Sequence, residues 1–161
     1  VFVAATGHRP DKLGGYNFFN PQRCWIRERI RDELLDLQPT ACISGMALGV
    51  DQDFAWTALW MNIPVLAAIP FKGQESRWPE SSQVFYRELL ARCYHTEVVS
   101  PGEYSARKMR VRNQWMVDHC EVLLAVWDGS EGGTGNCVRY ATGVGREIIR
   151  IDPRDFEKGR Q

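Results

Sequence analysis

The stretch "ACISGMALGVDQDFAW", Ala41–Trp56, decides the fold. A short apolar run, Ala41 to Ser44, breaks at Gly45 and Gly49 and resumes at Val50-Asp51 as an amphipathic segment reaching about Met61. A brief β-rich run, a glycine turn and a helical pattern in that order predict a strand–turn–helix unit, with Ser44 to Asp51 at the carboxyl end of the strand.

The same unit recurs on both sides. Val1 to Thr6 reads as a strand, followed by a Gly-, Pro- and Asn-rich loop through Pro21. Gln22 to Leu37 then carries Trp25 or Ile26, Ile30, Leu34 and Leu37 at helical spacing, with charged residues between them. Further strands are predicted over Val65–Ile69, His95–Val99, the apolar run "VLLAV" at Val122–Val126, and Glu147–Ile151. Helices are predicted over Glu80–Arg92, Ser105–His119 and Gly133–Gly143. Strands that are apolar throughout and alternate with helices indicate a parallel sheet covered on both faces. The expected fold is therefore α/β, a Rossmann-like three-layer sandwich with a mainly parallel central sheet.

At 161 residues and 44% hydrophobic content, with no repeat and no linker, the chain is expected to form one domain around one core. No apolar run approaches the roughly 18 residues of a membrane span, and the N-terminus lacks the sections of a signal peptide. Five cysteines are widely spaced, with no C-x-x-C pair and no zinc-type set. A reduced, cytoplasmic protein without a metal or membrane partner is the expectation. Twenty basic and twenty acidic residues cancel, so no global field gathers nucleic acid, and single-stranded DNA is the less favoured partner.

In such sheets ligands bind outside the carboxyl ends of the strands, so the residues that follow each strand are the candidates. After the first strand come Gly7, His8 and Arg9; after the second, Ser44 to Asp51; after the third, Pro70 and Phe71; after the fifth, Asp128 to Asn136. A helix that starts directly after a glycine turn aims unpaired N–H groups and its positive dipole end at one spot. Two such turns, Ser44 to Asp51 with Gly45 and Gly49 and Gly129 to Asn136 with Gly132 and Gly133, would form a cradle for phosphate or carboxylate, with Arg9 or Arg112 adding charge-assisted bonds. Tight turning alone also explains glycine there. Neither turn matches the dinucleotide or P-loop fingerprint, and no cofactor is expected.

Asp51 either complements the dipole in the first turn of its helix or reads ribose hydroxyls or moves a proton. His8 has a turn role or a ligand role. Cys137 reads as a small buried thiol, with a nucleophile activated at a helix start as the alternative. Among Arg107, Lys108, Arg110 and Arg112, the last is assigned to phosphate and Arg107 and Lys108 to the surface. Trp56, Trp60, Trp115 and Met116 read as core, and Trp78 as a candidate cover for a base.

These motifs resemble a known group. "SGMALGVDQDFAW" is similar to the SG-x-A-x-G-[IV]-D stretch of the DNA-processing family DprA/Smf. "RNQWMVDHCEVLLAVWDGSEGGTGN" resembles a region shared by DprA and the LOG cytokinin-activating enzymes, and the two together form the SLOG superfamily. "TGHRPDKLGGY", "PFKGQESRW" and "GGTGNCVRYA" resemble its YpsA-like branch, encoded by bacteria and phages. The resemblance spans nearly the whole chain.

It implies a nucleotide or nucleotide-derived ligand at the strand ends, often in a homodimer, with functions from signal sensing to splitting base from ribose 5′-monophosphate. By position, Gly45, Gly49 and Asp51 match the first motif, Arg112 and Asn113 the second, and Gly132, Gly133 and Thr134 the third. Thr134, Asn136 and Asp51 are then candidates for phosphate and sugar contacts. The LOG hydrolase pattern G-G-x-G-T-x-x-E departs here, because setting Gly133-Thr134 on its Gly-Thr puts Cys137 where the glutamate belongs. Glu131, Asp128 or Asp51 would have to supply that carboxylate, with Arg112 beside it. A nucleotide-binding module is the leading expectation and a nucleoside-monophosphate hydrolase the alternative.

Overall fold

A computed structural model describes residues 1–158. The elements run β1 (Phe2–Gly7), a 3₁₀ turn (Pro10–Lys12), α1 (Pro21–Leu37), β2 (Ala41–Ser44), α2 (Val50–Trp60), β3 (Val65–Ile69), α3 (Glu80–Ala91), β4 (His95–Val98), α4 (Ala106–Asp118), β5 (Val122–Val126), α5 (Gly133–Gly143), β6 (Glu147–Ile151) and α6 (Asp155–Lys158). The six strands form one sheet in the order β4-β3-β2-β1-β5-β6, and every neighbouring pair is parallel.

The apolar runs become the middle layer because both faces of each central strand are covered. Val3, Ala5, Cys42, Leu124 and Val126 turn to one face, where Ile26, Ile30, Phe54, Ala58 and Leu89 of α1, α2 and α3 pack. Ala4, Ile43, Ala68 and Leu123 turn to the other, against Met116 and Val117 of α4 and Cys137 and Ala141 of α5. The result is the expected α/β/α sandwich. No helix of the described residues is long and apolar enough to cross a membrane.

The helices that start near the carboxyl edge of the sheet do so in different ways. Asn20 caps α1 by accepting the Arg23 N–H (2.9 Å), and Ser105 caps α4 by accepting the Lys108 N–H (3.2 Å). The starts of α2 and α5 are glycines, Gly49 and Gly132, with no side-chain cap.

Two arrangements differ from the sequence expectation. Trp60 is 74% exposed and stacks on Trp56, with ring centroids 5.5 Å apart. It stands roughly 200° around α2 from the buried Ala58, so it leaves the core to which hydrophobicity alone assigned it. Asp53, fully buried, is bonded by Arg23 (3.1 and 3.0 Å) and Arg27 (2.9 Å) reaching across from α1. Burial pushes this carboxyl up while the two guanidiniums pull it down. Arg27 also lies 3.7 Å from the Phe18 ring centroid, so what read as the charged side of an amphipathic helix is partly interior.

Candidate functional site

The chain leaves β1 toward β2 and returns from the far edge to β5 on the other side of β1, which makes the carboxyl ends of β1 and β5 the place where strand order reverses. A cleft of about 360 Å³ opens there. It is lined by Thr6 to Arg9, Asp11 and Lys12 after β1, Ala47 and Asp51 after β2, Arg112 and Asn113 of α4, and Ser130 to Gly135 after β5.

The turn between β2 and α2 owes its glycines to packing. A Cβ on Gly45 would lie 2.5 Å from Arg112 Nη1 and 2.8 Å from Asp51 Oδ2. Gly49 has φ +95°, and a Cβ there would lie 2.4 Å from the His8 carbonyl oxygen. That carbonyl accepts the Val50 N–H (3.2 Å), tying the end of β1 to the start of α2. The fully buried Ser44 hydroxyl donates to the Asp51 carbonyl (2.7 Å) and accepts the Met46 N–H (3.1 Å). The turn is thus a joint that fixes Asp51 and Arg112 at the cleft wall.

Arg112 is 2% exposed. Its Nη1 donates to the Gly45 carbonyl (2.6 Å) and the Ala68 carbonyl (3.3 Å), and its Nε donates to Asn113 Oδ1 (2.9 Å). Nη2 makes no hydrogen bond among the described residues. Burial lowers the pKa of this guanidinium and Asp51 raises it. Asp51 accepts the Ala47 N–H (3.2 Å), and burial pushes its carboxyl up against the pull of Arg112 and Arg9.

The turn between β5 and α5 is open. Chain neighbours and the helix's own backbone aside, no heavy atom of the described residues lies within 4 Å of a Cβ built on Gly132 or Gly133. The first amide of α5 to bond back is that of Asn136, to the Gly132 carbonyl (2.9 Å). The amides of Gly133, Thr134 and Gly135 are left without hydrogen bonds among the described residues, at the positive end of the helix.

His8 joins the two strand ends. The Asp128 N–H donates to its Nε2 (3.1 Å), which requires the neutral ring with its proton on Nδ1. Asp128 Oδ1 also lies 3.1 Å from Nε2, an ion pair only for the protonated ring. Burial lowers the His8 pKa despite that carboxylate, so the neutral arrangement holds at neutral pH. Asp128 is held well below the usual carboxylate range, first by hydrogen bonding to Ser130, whose N–H donates to Oδ1 (2.9 Å), and further by His8 and Lys12.

The sign of the pH dependence follows. A depressed histidine contributes stability that is complete above its ordinary value of 6.5 and lost below it. A depressed carboxyl contributes above the ordinary value of 3.8 and loses it as pH falls further. Wild type is expected to weaken in both windows. Asp128→Asn should remove its own share of the lower one, which Asp152 also contributes to, worth about 1 kcal/mol for a partly exposed group, in urea midpoints measured from pH 7.5 to 3; identical acid profiles would contradict it.

Gly7, His8, Arg9, Asp51, Arg112, Asn113, Glu131, Gly132, Gly133 and Thr134, all singled out in the sequence, line the cleft. Ser44, Gly45 and Gly49 stand behind it, and Asp128 fixes His8. Phe71 borders an adjoining hollow, while Pro70 is buried with its carbonyl accepting the Ser100 N–H (3.1 Å). Asn136 faces the groove between α4 and α5 and takes a bond from Arg139. The sequence reading missed Thr6, Asp11 and Lys12 at the cleft, while Ala47, Ser130 and Gly135 lie inside the two turns it marked without being singled out. Lys12 was findable by its place three residues after Arg9 in the same loop; its Nζ donates to Ser130 Oγ (2.9 Å). Cys137 is 3% exposed, and burial pushes its thiol up to about 11. Among the described residues no three His, Cys, Asp or Glu side chains form a metal-ligand set.

Comparison with known proteins agrees with this architecture. The model of the YspA SLOG family matches residues 3–143. The uncharacterized SPbeta prophage-derived protein YoqJ of Bacillus subtilis is 36% identical over 132 residues, which cover 71% of this chain and 77% of that protein. Among solved structures, DNA processing protein A (DprA) from Streptococcus pneumoniae aligns with a TM-score of 0.69 at 20% identity over 93% of this chain, which spans 50% of that one. DNA processing protein A from Helicobacter pylori, whose structure concerns its single-stranded DNA binding mode, aligns with a TM-score of 0.67 at 18% identity over 99% of this chain and 73% of that one. At such identity the two structures support the fold alone. With the family match extending over most of its length, the chain belongs to the YspA SLOG family.

Proposed function

We propose that the chain binds a phosphate-bearing nucleotide or nucleotide derivative in the cleft between β1 and β5. The observation that carries this is the convergence of three unpaired α5 amides with two arginines on one wall. Arg112 offers Nη2, and the guanidinium of the exposed Arg9 makes no ion pair or hydrogen bond among the described residues. Backbone donors at a helix start together with guanidinium groups suit a phosphate. Asp51, on the same wall, is positioned for sugar hydroxyls. Pairing of two copies, implied by the family resemblance, belongs to this reading and is tested by the mass in solution.

A second reading rests on Asp51. Its carboxyl, pushed up by burial at the cleft wall, has the character a general acid needs for cleaving a glycosidic bond. One experiment addresses both readings: thermal unfolding against nucleoside monophosphates, NAD, ADP-ribose and cyclic nucleotides, followed by chromatography of each sample. A ligand at about 100 times its dissociation constant should stabilise the protein by roughly 2.7 kcal/mol, and a panel without any shift would overturn the binding reading. Released base would establish hydrolysis; in that event Asp51→Asn should keep the thermal shift and lose the product.

A further inference from the structure

Past Arg112 and Asn113 the cleft adjoins a second hollow of about 380 Å³, and the two share Arg9, Arg112, Asn113 and Gly133. The rest of its wall differs in character from the polar cleft. Phe71, Trp78, Tyr104 and Met109 supply aromatic and apolar surface. Phe71 meets Tyr104 edge to face, with centroids 5.8 Å apart, and Trp78 is braced edge to face on Tyr86 at 5.2 Å. Tyr104 is nevertheless 66% exposed, so much of its ring has no covering group.

Gln74 borders the same hollow and is 8% exposed. Its Nε2 donates to the Gly45 carbonyl (3.1 Å) and lies 3.3 Å from the Tyr86 hydroxyl. A carbonyl only accepts, so this contact fixes which end of the amide is which. Gln74 Oε1 is then left buried with no hydrogen-bond partner among the described residues. A buried acceptor in that condition is out of the ordinary, and a bound donor would satisfy it.

We infer that this hollow receives the base of the ligand whose phosphate lies at the start of α5, which rests on the nucleotide reading above. The ring stacks against Tyr104 beside Trp78, and an exocyclic amino group of the base donates to Gln74 Oε1, which a rotation of that side chain brings from its buried position to the edge of the hollow. The sugar spans the shared wall at Arg112 and Asn113. The preferred class is therefore a 5′-phosphorylated nucleoside whose base carries an amino group, in place of a bare sugar phosphate.

The test is calorimetric titration with adenosine 5′-monophosphate, purine riboside 5′-monophosphate, which lacks the amino group, and ribose 5-phosphate. Wild type is expected to bind the adenosine compound at least tenfold more tightly than ribose 5-phosphate. Stacking contributions of the usual size predict that Tyr104→Ala weakens the adenosine compound about 5- to 100-fold and leaves ribose 5-phosphate unchanged; Tyr104→Phe should retain the advantage. Loss of the amino group should weaken binding by about 5- to 10-fold. Equal affinity for the adenosine compound and ribose 5-phosphate, or equal loss of both in Tyr104→Ala, would overturn the inference and leave the phosphate site standing. Equal binding with and without the amino group would overturn the Gln74 contact. Binding of none of the three would bring down the nucleotide reading and this inference together.

Discussion

Arg112→Ala is expected to lower folding stability by about 3 kcal/mol, the size of losing charge-assisted bonds to buried carbonyls together with the side chain's packing, and to abolish ligand binding. The guanidinium sits 2% exposed against the Gly45 and Ala68 carbonyls, so its removal strips both of a donor and leaves a void beside Gly45. It also removes the strongest charge favouring ionised Asp51. A carboxyl already pushed up by burial then rises further. Its contribution is present below the ordinary value and is lost as pH rises through the raised one, so the variant should lose relatively more stability at pH 8 than at pH 5. Asp51→Asn in the same background replaces a buried charge by a neutral amide and should recover part of the loss. Urea denaturation of the four members of this cycle at both pH values checks the argument. Strict additivity would show that Arg112 and Asp51 do not interact through the wall they share.

What the sequence made legible follows from how local each signal is. Uniformly apolar runs such as Val122–Val126 announce a doubly covered strand because the whole cause lies within the run. Arg112 separates from its basic neighbours because it lies one helical turn from the buried Met116, whereas Arg107 and Arg110 remain exposed. The two glycine turns, by contrast, look alike as text. Gly45 is filled from a residue on α4 and Gly49 is pressed by the His8 carbonyl just after β1, while Gly132 and Gly133 face open space among the described residues. Those differences lie wholly in non-local contacts. The same holds for Asp53, bonded by arginines 26 and 30 positions away, and for Gln74 and Tyr104, which meet at one hollow only because β3 and β4 are neighbours. Short elements such as α6 carry too few residues to show a period.

Gly49→Ala is the sharpest test of that division between joint and cradle, and it is expected to destabilise by roughly 3–5 kcal/mol, combining backbone strain with a steric clash. At φ +95° and ψ −130° the backbone occupies a region that alanine does not share with glycine. The added Cβ would meet the His8 carbonyl oxygen at 2.4 Å, a backbone atom bonded to Val50 at the junction of β1 and α2. Neither atom can turn aside as a flexible side chain would. Gly133→Ala makes the same chemical change where nothing lies within 4 Å and φ is not positive, so its stability should stay within about 0.5 kcal/mol of wild type. Its Cβ enters the space in front of the unpaired α5 amides, so nucleotide binding is where that variant should fail. Denaturation and ligand titration of the pair separate the two roles. A stable Gly49→Ala would mean that the joint yields; a Gly133→Ala that binds normally would move the phosphate away from the start of α5.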